Sequence, residues 1–455
     1  MPDRSNASSP PRVIIVGGGF SGTMTAVHLL RTGKPVAITI FDSSKRIARG
    51  IAYSATSPRL LLNVPAAKMS PLPDEPSAFL DWAATQTSDP ILKGKKVTPG
   101  TFLPRGLYGS FIEHLLKSAR AANPNARVDV VYEPLNNLER GDNSWVARGA
   151  SNVPVLGDAV VLALGNPWSA LPNELKKIST RYRVDPWTGL EFDGIEFGKS
   201  VICLGSGLTA VDVVVRLNEL GFRGTIHCCS RHGLWPLSHL EDPLTAARTP
   251  LTPEGGLREM LRSVRRQIKE GVSRGEAWQP MFDSFRPQHQ KLWRSLSLTE
   301  RERFLRHFGT YWDVHRHRIA PEIARVIEKF RNDGRLVMHA GAVEQAVEIP
   351  AGVQFKIRKR HTGEFEQVSG SHVFLCAGAA RRISAWRNPL VDSLLQQRHV
   401  VADDLKIGFS VSDEASQRGL YALGTPLRGS LWEITAVREL AIQAQETARS
   451  ILERI

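Results

Sequence analysis

Residues 12–42 read RVIIVGGGFSGTMTAVHLLRTGKPVAITIFD, and this stretch decides the fold. Arg12–Val16 is a short apolar run rich in β-branched residues, which favours a strand, and the glycine-rich turn Gly17–Gly22 follows it directly. Thr23–Thr32 has the apolar spacing of a helix. Val36–Phe41 is a second apolar strand. The sequence therefore predicts a strand–helix–strand unit, which is the building block of a parallel α/β sheet.

The glycine turn has the spacing Gly17-x-Gly19-x-x-Gly22. In such units the first glycine permits a tight turn, the second lets the backbone approach a pyrophosphate, and the third packs helix on strand. The helix N-terminus adds free N–H groups for the phosphates. Asp42 lies about 20 residues later, where a carboxylate binds a ribose hydroxyl. The predicted dinucleotide-binding residues here are Gly17, Gly19, Phe20, Ser21, Gly22 and Asp42.

A second unit of the same pattern begins near residue 200. The strand Val201–Leu204 leads into Gly205-x-Gly207-x-x-Ala210, a helix over 209–220 and a returning strand over 225–229. Arg231 follows that strand, and no acid stands there. Because an arginine suits the 2′-phosphate of NADP, the pattern favours NADP over NAD, bound by Gly205, Gly207 and Arg231. The alternative is a duplicated unit kept only as scaffold.

Composition excludes several other classes. The chain has 455 residues, a net charge of +14 and four cysteines, none in a C-x-x-C pair. A zinc site, a disulfide scaffold and a dithiol redox centre are therefore not expected. The basic residues are scattered without a recognition motif, so no nucleic-acid partner is predicted. No apolar run suits a bilayer, and no signal peptide is apparent, so we expect a cytoplasmic protein without a membrane contact.

Further segments carry a resemblance to a known family. Two apolar strands end in glycine, at Gly165 and Gly378, and several longer stretches have matching residues. These stretches are 50–54, 61–65, 68–70, 104–109, 311–318 and 424–433. Together with the glycine turns, they make the chain resemble the two-dinucleotide-binding flavoproteins, the superfamily of flavin-containing monooxygenases and amine N-hydroxylases. The chain is also similar to a bacterial family described only as FAD/NAD(P)-binding.

The resemblance implies an α/β fold with two Rossmann-like domains and a helical insertion. It implies FAD on residues 1–195, completed by 379–455, and NADP on residues 196–378, with the insertion at about 234–331. Thr425 stands where relatives place an acid after Gly424, and the F-x-G-x-x-x-H-x-x-x-W/F motif of flavin monooxygenases is absent. The further cofactor-binding residues implied are Asn63, Met69, Gly165, Gly424, Thr425 and Trp432.

The expected function is that of an FAD-dependent oxidoreductase reduced by NADPH. A monooxygenase that hydroxylates a small amine or amino acid with dioxygen is favoured. The flavin would supply the chemistry, so no catalytic residue is predicted. The alternatives are an FAD-dependent dehydrogenase or oxidase with a structural second unit, and a flavin-binding redox sensor without turnover. The pattern says nothing about the oligomeric state.

Asp313, His315 and His317 suggest a metal site, but residues two apart diverge on a helix. Arg316 and Arg318 would also repel a cation. We therefore expect no metal here and predict a charged contact between domains. The same arginines are candidates to hold an anionic substrate or cofactor phosphates.

Overall fold

The computed structural model describes residues 10–92, 94–167, 171–188, 192, 194–250, 252 and 255–454. The chain forms one five-stranded sheet and one seven-stranded sheet, with smaller sheets beside them. Helices pack against both large sheets, which confirms the predicted α/β class. None of the described helices is both long and apolar enough to span a membrane.

The first sheet is parallel throughout and is built from both ends of the chain. Its strands in spatial order are Leu420–Ala422, Ala159–Leu162, Arg12–Val16, Ala37–Phe41 and Arg127–Val131. Val16 stands opposite both Phe41 and Leu162. Because the strands are parallel, their carboxyl ends meet at one edge, where α/β proteins bind ligands.

The helices Phe20–Arg31, Arg105–Ala122 and Val437–Arg454 pack over one face of this sheet in a shared apolar core. The other face is covered by a small antiparallel sheet and by the helix Pro389–Gln396. We call this sheet with the elements around it the first half of the molecule, and the second sheet with its helices the second half. The remaining elements of the first half are Gly50–Tyr53, Ala78–Thr85, Leu135–Arg140, Trp145–Gly149, Pro154–Gly157, Val400–Ala402, Phe409–Val411 and Asp413–Gln417.

The second sheet has a parallel part and an antiparallel part. The parallel part carries the second glycine turn, and Cys203 stands opposite Cys228 and Phe374. The helices Leu208–Glu219 and Pro321–Asn332 pack on it. Its strands in spatial order are Phe365–Gly370, Gly352–Lys359, Leu336–Ile349, Ile226–Ser230, Val201–Leu204, Val373–Leu375 and Arg183–Val184.

A block of helices lies between the strand Ile226–Ser230 and the strand Leu336–Ile349 and has a core of its own. This helical insertion contains Leu257–Ser273, Trp278–Ser284, His289–Ser295, Leu298–His307 and Gly309–Arg316. The sequence Ser297-x-x-Glu300 predicts a capping box, and the structure confirms it. The Ser297 hydroxyl accepts from the Glu300 N–H, and the Glu300 carboxylate accepts from the Ser297 N–H at 3.0 Å.

The closing helix begins later than the sequence pattern predicts. The sequence over residues 432–455 predicts a closing helix that begins at Trp432, but the observed helix is Val437–Arg454. Glu433 has a φ of +58°, in the left-handed region that a right-handed helix excludes. The prediction is wrong for 432–436 because the side chains of Trp432 and Glu433 are held by the helical insertion instead.

Candidate dinucleotide-binding site

At the first glycine turn, the backbone passes very close to the end of the neighbouring strand Ala159–Leu162. Gly17 has a φ of +104°, and a Cβ atom there would lie 2.2 Å from the Ala163 carbonyl oxygen. A Cβ on Gly22 would lie 2.0 Å from the Gly17 oxygen, which explains why helix and strand can approach so closely. The helix Phe20–Arg31 follows with Gly19 at its N-cap. Its free N–H groups lie at the carboxyl edge of the sheet.

Asp42 closes this turn. Its Oδ2 accepts from the Gly18 N–H at 2.6 Å, and its Oδ1 accepts from the Ser44 N–H at 2.6 Å. The side chain is half-buried, so the carboxylate still reaches the surface of the cleft. Each carboxylate oxygen has a second lone pair, so the group can still accept from a ribose hydroxyl.

Residues from the two neighbouring strands converge on the same edge. Gly165 follows the strand Ala159–Leu162, and beside it the Asn166 Oδ1 accepts from the Thr425 hydroxyl at 2.8 Å. A Cβ on Gly424 would lie 3.8 Å from the Ser21 hydroxyl. The structure thus brings together predicted site residues that are separated by hundreds of positions in the chain.

Three of the residues predicted to bind a cofactor have side chains that pack against other aromatic or apolar side chains. Phe20 packs between Tyr53 and Tyr108, with ring centroids 6.2 Å away in both cases. Met69 is 2% exposed and belongs to the core of the first sheet. Trp432 stacks on Trp293 at 4.5 Å, inside the core of the helical insertion. Packing accounts for these side chains.

The second glycine turn repeats the geometry of the first. Gly205 has a φ of +116°, and a Cβ there would lie 2.2 Å from the Cys376 carbonyl oxygen. Gly207 caps the helix Leu208–Glu219, and a Cβ on it would meet no atom within 4 Å. The Ser206 hydroxyl donates to Ser230 at 2.8 Å, where the first turn uses a carboxylate. The helix N-terminus is therefore open to an incoming group.

Arginines from three distant segments lie near enough to one another, after this turn, for the charges of Arg360 and Arg381 to act on Arg231. Arg231 follows the strand Ile226–Ser230, and its carbonyl oxygen accepts from Arg360 Nη1 at 3.3 Å. Burial, and then the charges of Arg381 and Arg360, lower the pKa of Arg231. Within the described ranges, none of the three guanidinium groups forms an ion pair with a carboxylate. Such a cluster of like charges is a good site for an anion.

The segment after Arg231 links the two halves of the molecule. The Ser206 hydroxyl contacts the Leu234 carbonyl oxygen at 2.6 Å, so the segment starts at the second turn. It reaches the first half at Asn63, whose carbonyl oxygen accepts from His239 Nε2 at 3.0 Å. Burial, and then the charge of Arg318, lower the pKa of His239 to about 4. The ring is neutral at neutral pH, and Nε2 carries the proton in this tautomer.

The helical insertion is held on the C-terminal segment. Glu433 accepts from the Trp312 indole N–H and from Arg316 Nε, the latter at 2.7 Å. Arg286 donates to both oxygens of Glu439, at 2.9 and 2.6 Å. The suggested metal residues Asp313 and His317 belong to this charged contact. In the part of the chain that the structure describes, no cluster of His, Cys, Asp and Glu could hold a metal.

Sequence reasoning missed several residues of these clusters. Arg381 follows the glycine-terminated strand that ends near Gly378, so its position was a usable signal. Arg360 lies at the turn between two antiparallel strands, where no motif marks it. His239 lies in an irregular stretch without a recognisable pattern.

Comparison with protein families finds a match for the N-terminal part of the chain. A family model described as FAD-NAD(P)-binding matches residues 14–167. No match was found among curated proteins.

Several solved structures have a similar fold. The ornithine hydroxylase of Pseudomonas aeruginosa in its reduced form is 16% identical, with 98% of this chain and 99% of that chain covered, at a TM-score of 0.64. The L-lysine 6-monooxygenase of Pseudomonas syringae is 14% identical, with 97% and 99% covered, at 0.67. An ornithine N-hydroxylase of Kutzneria sp. 744 with reduced FAD, NADP+ and L-ornithine is 13% identical, with 98% and 99% covered, at 0.65.

These likenesses cover nearly the whole of each chain and confirm the predicted fold. Residues 14–167 match the FAD-NAD(P)-binding family model, which agrees with the predicted class of cofactor for this part of the chain. The fold of the chain is similar to the folds of these ornithine hydroxylase and L-lysine 6-monooxygenase structures.

Proposed function

We propose that the protein is an FAD-dependent monooxygenase that NADPH reduces and that hydroxylates a small amine or amino acid in the cytoplasm. The observation that carries this proposal is the pair of glycine turns with opposite charge beside them: Asp42 at the first, and Arg231 with its neighbouring arginines at the second. Three of the similar solved structures are an ornithine hydroxylase, an ornithine N-hydroxylase and an L-lysine 6-monooxygenase, which supports an amine or amino acid as substrate.

The residues at the first turn fit FAD. Gly17 and Gly22 allow the close approach of helix and strand, and the N–H groups that follow Gly19 would bind the pyrophosphate. Asp42 would accept from the adenosine ribose, while Gly424 and Thr425 stand beside the glycine turn on the opposite side. When bound, the flavin supplies the electron transfer and the reaction with dioxygen. The protein binds it, orients it and excludes water.

The residues at the second turn fit NADPH better than NADH. A guanidinium binds a phosphate through charge-assisted hydrogen bonds, and the charges of Arg360 and Arg381 add to the positive field around Arg231. On its adenosine ribose, NADPH carries a 2′-phosphate, whereas NADH carries a 2′-hydroxyl. A phosphate would also relieve the mutual repulsion of the arginines, which a hydroxyl cannot do.

The first experiment is an anaerobic titration of the FAD-loaded protein with NADPH and with NADH, followed by the absorbance of oxidised flavin. We expect bleaching by NADPH at lower concentrations than by NADH. A flavin that neither nucleotide bleaches, with or without amine substrates present, would make the second unit a scaffold and contradict the proposal.

A second experiment separates a monooxygenase from an oxidase. NADPH consumption in air is measured with L-ornithine, L-lysine and cadaverine, and mass spectrometry follows the addition of one oxygen atom to the amine. A hydroxylated product supports the proposal. Hydrogen peroxide formed in equal amount to the NADPH consumed, without a hydroxylated product for any amine, would favour an oxidase.

A further inference from the structure

Arg318 is enclosed by the protein and has too few hydrogen-bond partners. The side chain is 2% exposed, and its Nη2 donates to both oxygens of Asp283, at 2.6 Å to Oδ2. Its Nε and Nη1 atoms are buried without a partner among the described residues. A buried charged donor left unpaired costs free energy, so an acceptor is expected to complete this guanidinium.

This guanidinium lies where three parts of the molecule meet. The next residue, Ile319, donates its N–H to the Leu237 carbonyl oxygen at 2.9 Å and accepts from the His239 N–H at 2.9 Å. His239 in turn donates to the carbonyl oxygen of Asn63 in the first half. Asp283 belongs to the helical insertion. Arg318 is therefore at the junction of both dinucleotide-binding halves and the insertion.

The surroundings of Arg318 favour an organic anion. The Trp278 ring centroid lies 5.6 Å from its guanidinium carbon and provides a flat apolar wall. The Asp283 side chain is 37% exposed, so the ion pair borders solvent on that side. Arg318 and Lys68 both act to lower the pKa of His239, and Asp283 opposes them. The cations that act on the neutral His239 are Arg318 and Lys68, and among the Arg318 nitrogens Asp283 accepts only from Nη2.

We propose that Arg318 binds the carboxylate of the substrate and makes the enzyme select carboxylate-bearing amines over their decarboxylated counterparts. This inference rests on the proposed function as a hydroxylase of small amines. A guanidinium suits a carboxylate through planar, charge-assisted hydrogen bonds. In the proposed function the cofactor phosphates bind at the glycine turns and Arg231, so this cation remains for the substrate. The exposed edge of Asp283 offers an acceptor to an adjacent ammonium group.

The test uses pairs of compounds that differ only in a carboxylate: L-ornithine with putrescine, L-lysine with cadaverine, and L-arginine with agmatine. Binding to the FAD-loaded protein is measured by calorimetry, with and without NADP+. For at least one pair we expect the carboxylate member to bind about tenfold or more tightly, as two charge-assisted hydrogen bonds imply. Equal binding within every pair, or no binding by any carboxylate member, overturns the proposal.

Variants of Arg318 test whether this residue causes the preference for the carboxylate-bearing member of each pair. R318M is expected to bind both members of the pair alike, and R318K to keep part of the preference because it keeps the charge. R325M is the matched control, since Arg325 forms an exposed ion pair with Glu241 at 2.5 Å nearby in the chain. Flavin content and melting temperature report whether each variant folds. A preference that survives in R318M overturns the assignment, even if the wild type shows it.

The same preparation separates this inference from the proposed function. Binding requires no turnover, whereas bleaching of the flavin by NADPH requires no amine carboxylate. A protein that NADPH reduces but that binds both members of each pair alike keeps its proposed function and loses this inference. A protein that prefers the carboxylate member but is never reduced by NADPH keeps the carboxylate site and loses the proposed function.

Discussion

The two glycine turns have the same backbone geometry, but different side chains form the hydrogen bonds that close them. In both, a glycine with a φ above +100° passes beneath a carbonyl oxygen of the neighbouring strand, Ala163 in the first and Cys376 in the second. Asp42 closes the first turn through the Gly18 N–H, whereas a pair of serine hydroxyls closes the second. The comparison teaches that one backbone geometry can carry opposite charges, because the residue after the second strand of each unit is Asp42 in the first and Arg231 in the second.

The largest effect is expected for G17A, which tests whether the first turn carries the flavin. An alanine would clash with the Ala163 carbonyl and would hold a strained backbone, at a cost of roughly 1–3 kcal/mol for the backbone alone. We expect loss of bound FAD, measured by absorbance after purification, and a lower melting temperature. G33A is the control, because Gly33 has a φ of +71° but open space around it. Full flavin content in G17A would contradict the assignment of the first turn.

G205A applies the same strain to the second turn and should give a different result. The clash is with the Cys376 carbonyl, which follows the strand Val373–Leu375 of the second sheet. We expect the variant to keep its flavin and to lose reduction by NADPH, followed anaerobically by flavin bleaching. G334A, at an open position with a φ of +68°, controls for backbone strain. If G205A were reduced as fast as the wild type, the second turn would not be the NADPH site.

The double variant R231A/R360A tests the charge difference between the turns. Removal of two guanidinium groups should weaken NADPH binding by about 10- to 100-fold, since hydrogen bonds to charged groups contribute about 1.5–3 kcal/mol. NADH binding should change little, so the ratio of the NADPH affinity to the NADH affinity should fall. The readout is the concentration of each nucleotide that half-reduces the flavin. A parallel loss for both nucleotides would indicate general damage to the site, and R325A provides the comparison for loss of a surface charge.

The smallest effect is expected for G207A. A Cβ there meets no protein atom within 4 Å, so stability should change by less than about 1 kcal/mol. The added methyl group would point into the space reserved for the pyrophosphate, so NADPH should bind more weakly while the melting temperature stays near the wild-type value. Unchanged NADPH affinity would mean that the nucleotide does not approach this glycine.

Short-range patterns in the sequence predicted local structure well. The strand Arg12–Val16, both glycine turns and the Ser297–Glu300 capping box depend on residues within a few positions of each other. The start of the closing helix was predicted wrongly because Glu433 bonds to Trp312 and Arg316, which are more than a hundred positions away. A helical pattern cannot reveal such competing contacts.

The sequence by itself determined the two strand–turn–helix units, the class of cofactor and the charge that follows each unit, because these depend on glycine spacing and neighbouring residues. Only the tertiary structure decided which distant residues meet. It placed Arg360 and Arg381 beside Arg231, Thr425 beside Asn166, and Arg318 at the junction with two unpaired donors. The physical reason is that charge clusters and buried polar atoms arise from contacts between segments, and their cost or benefit appears only once water is excluded between them.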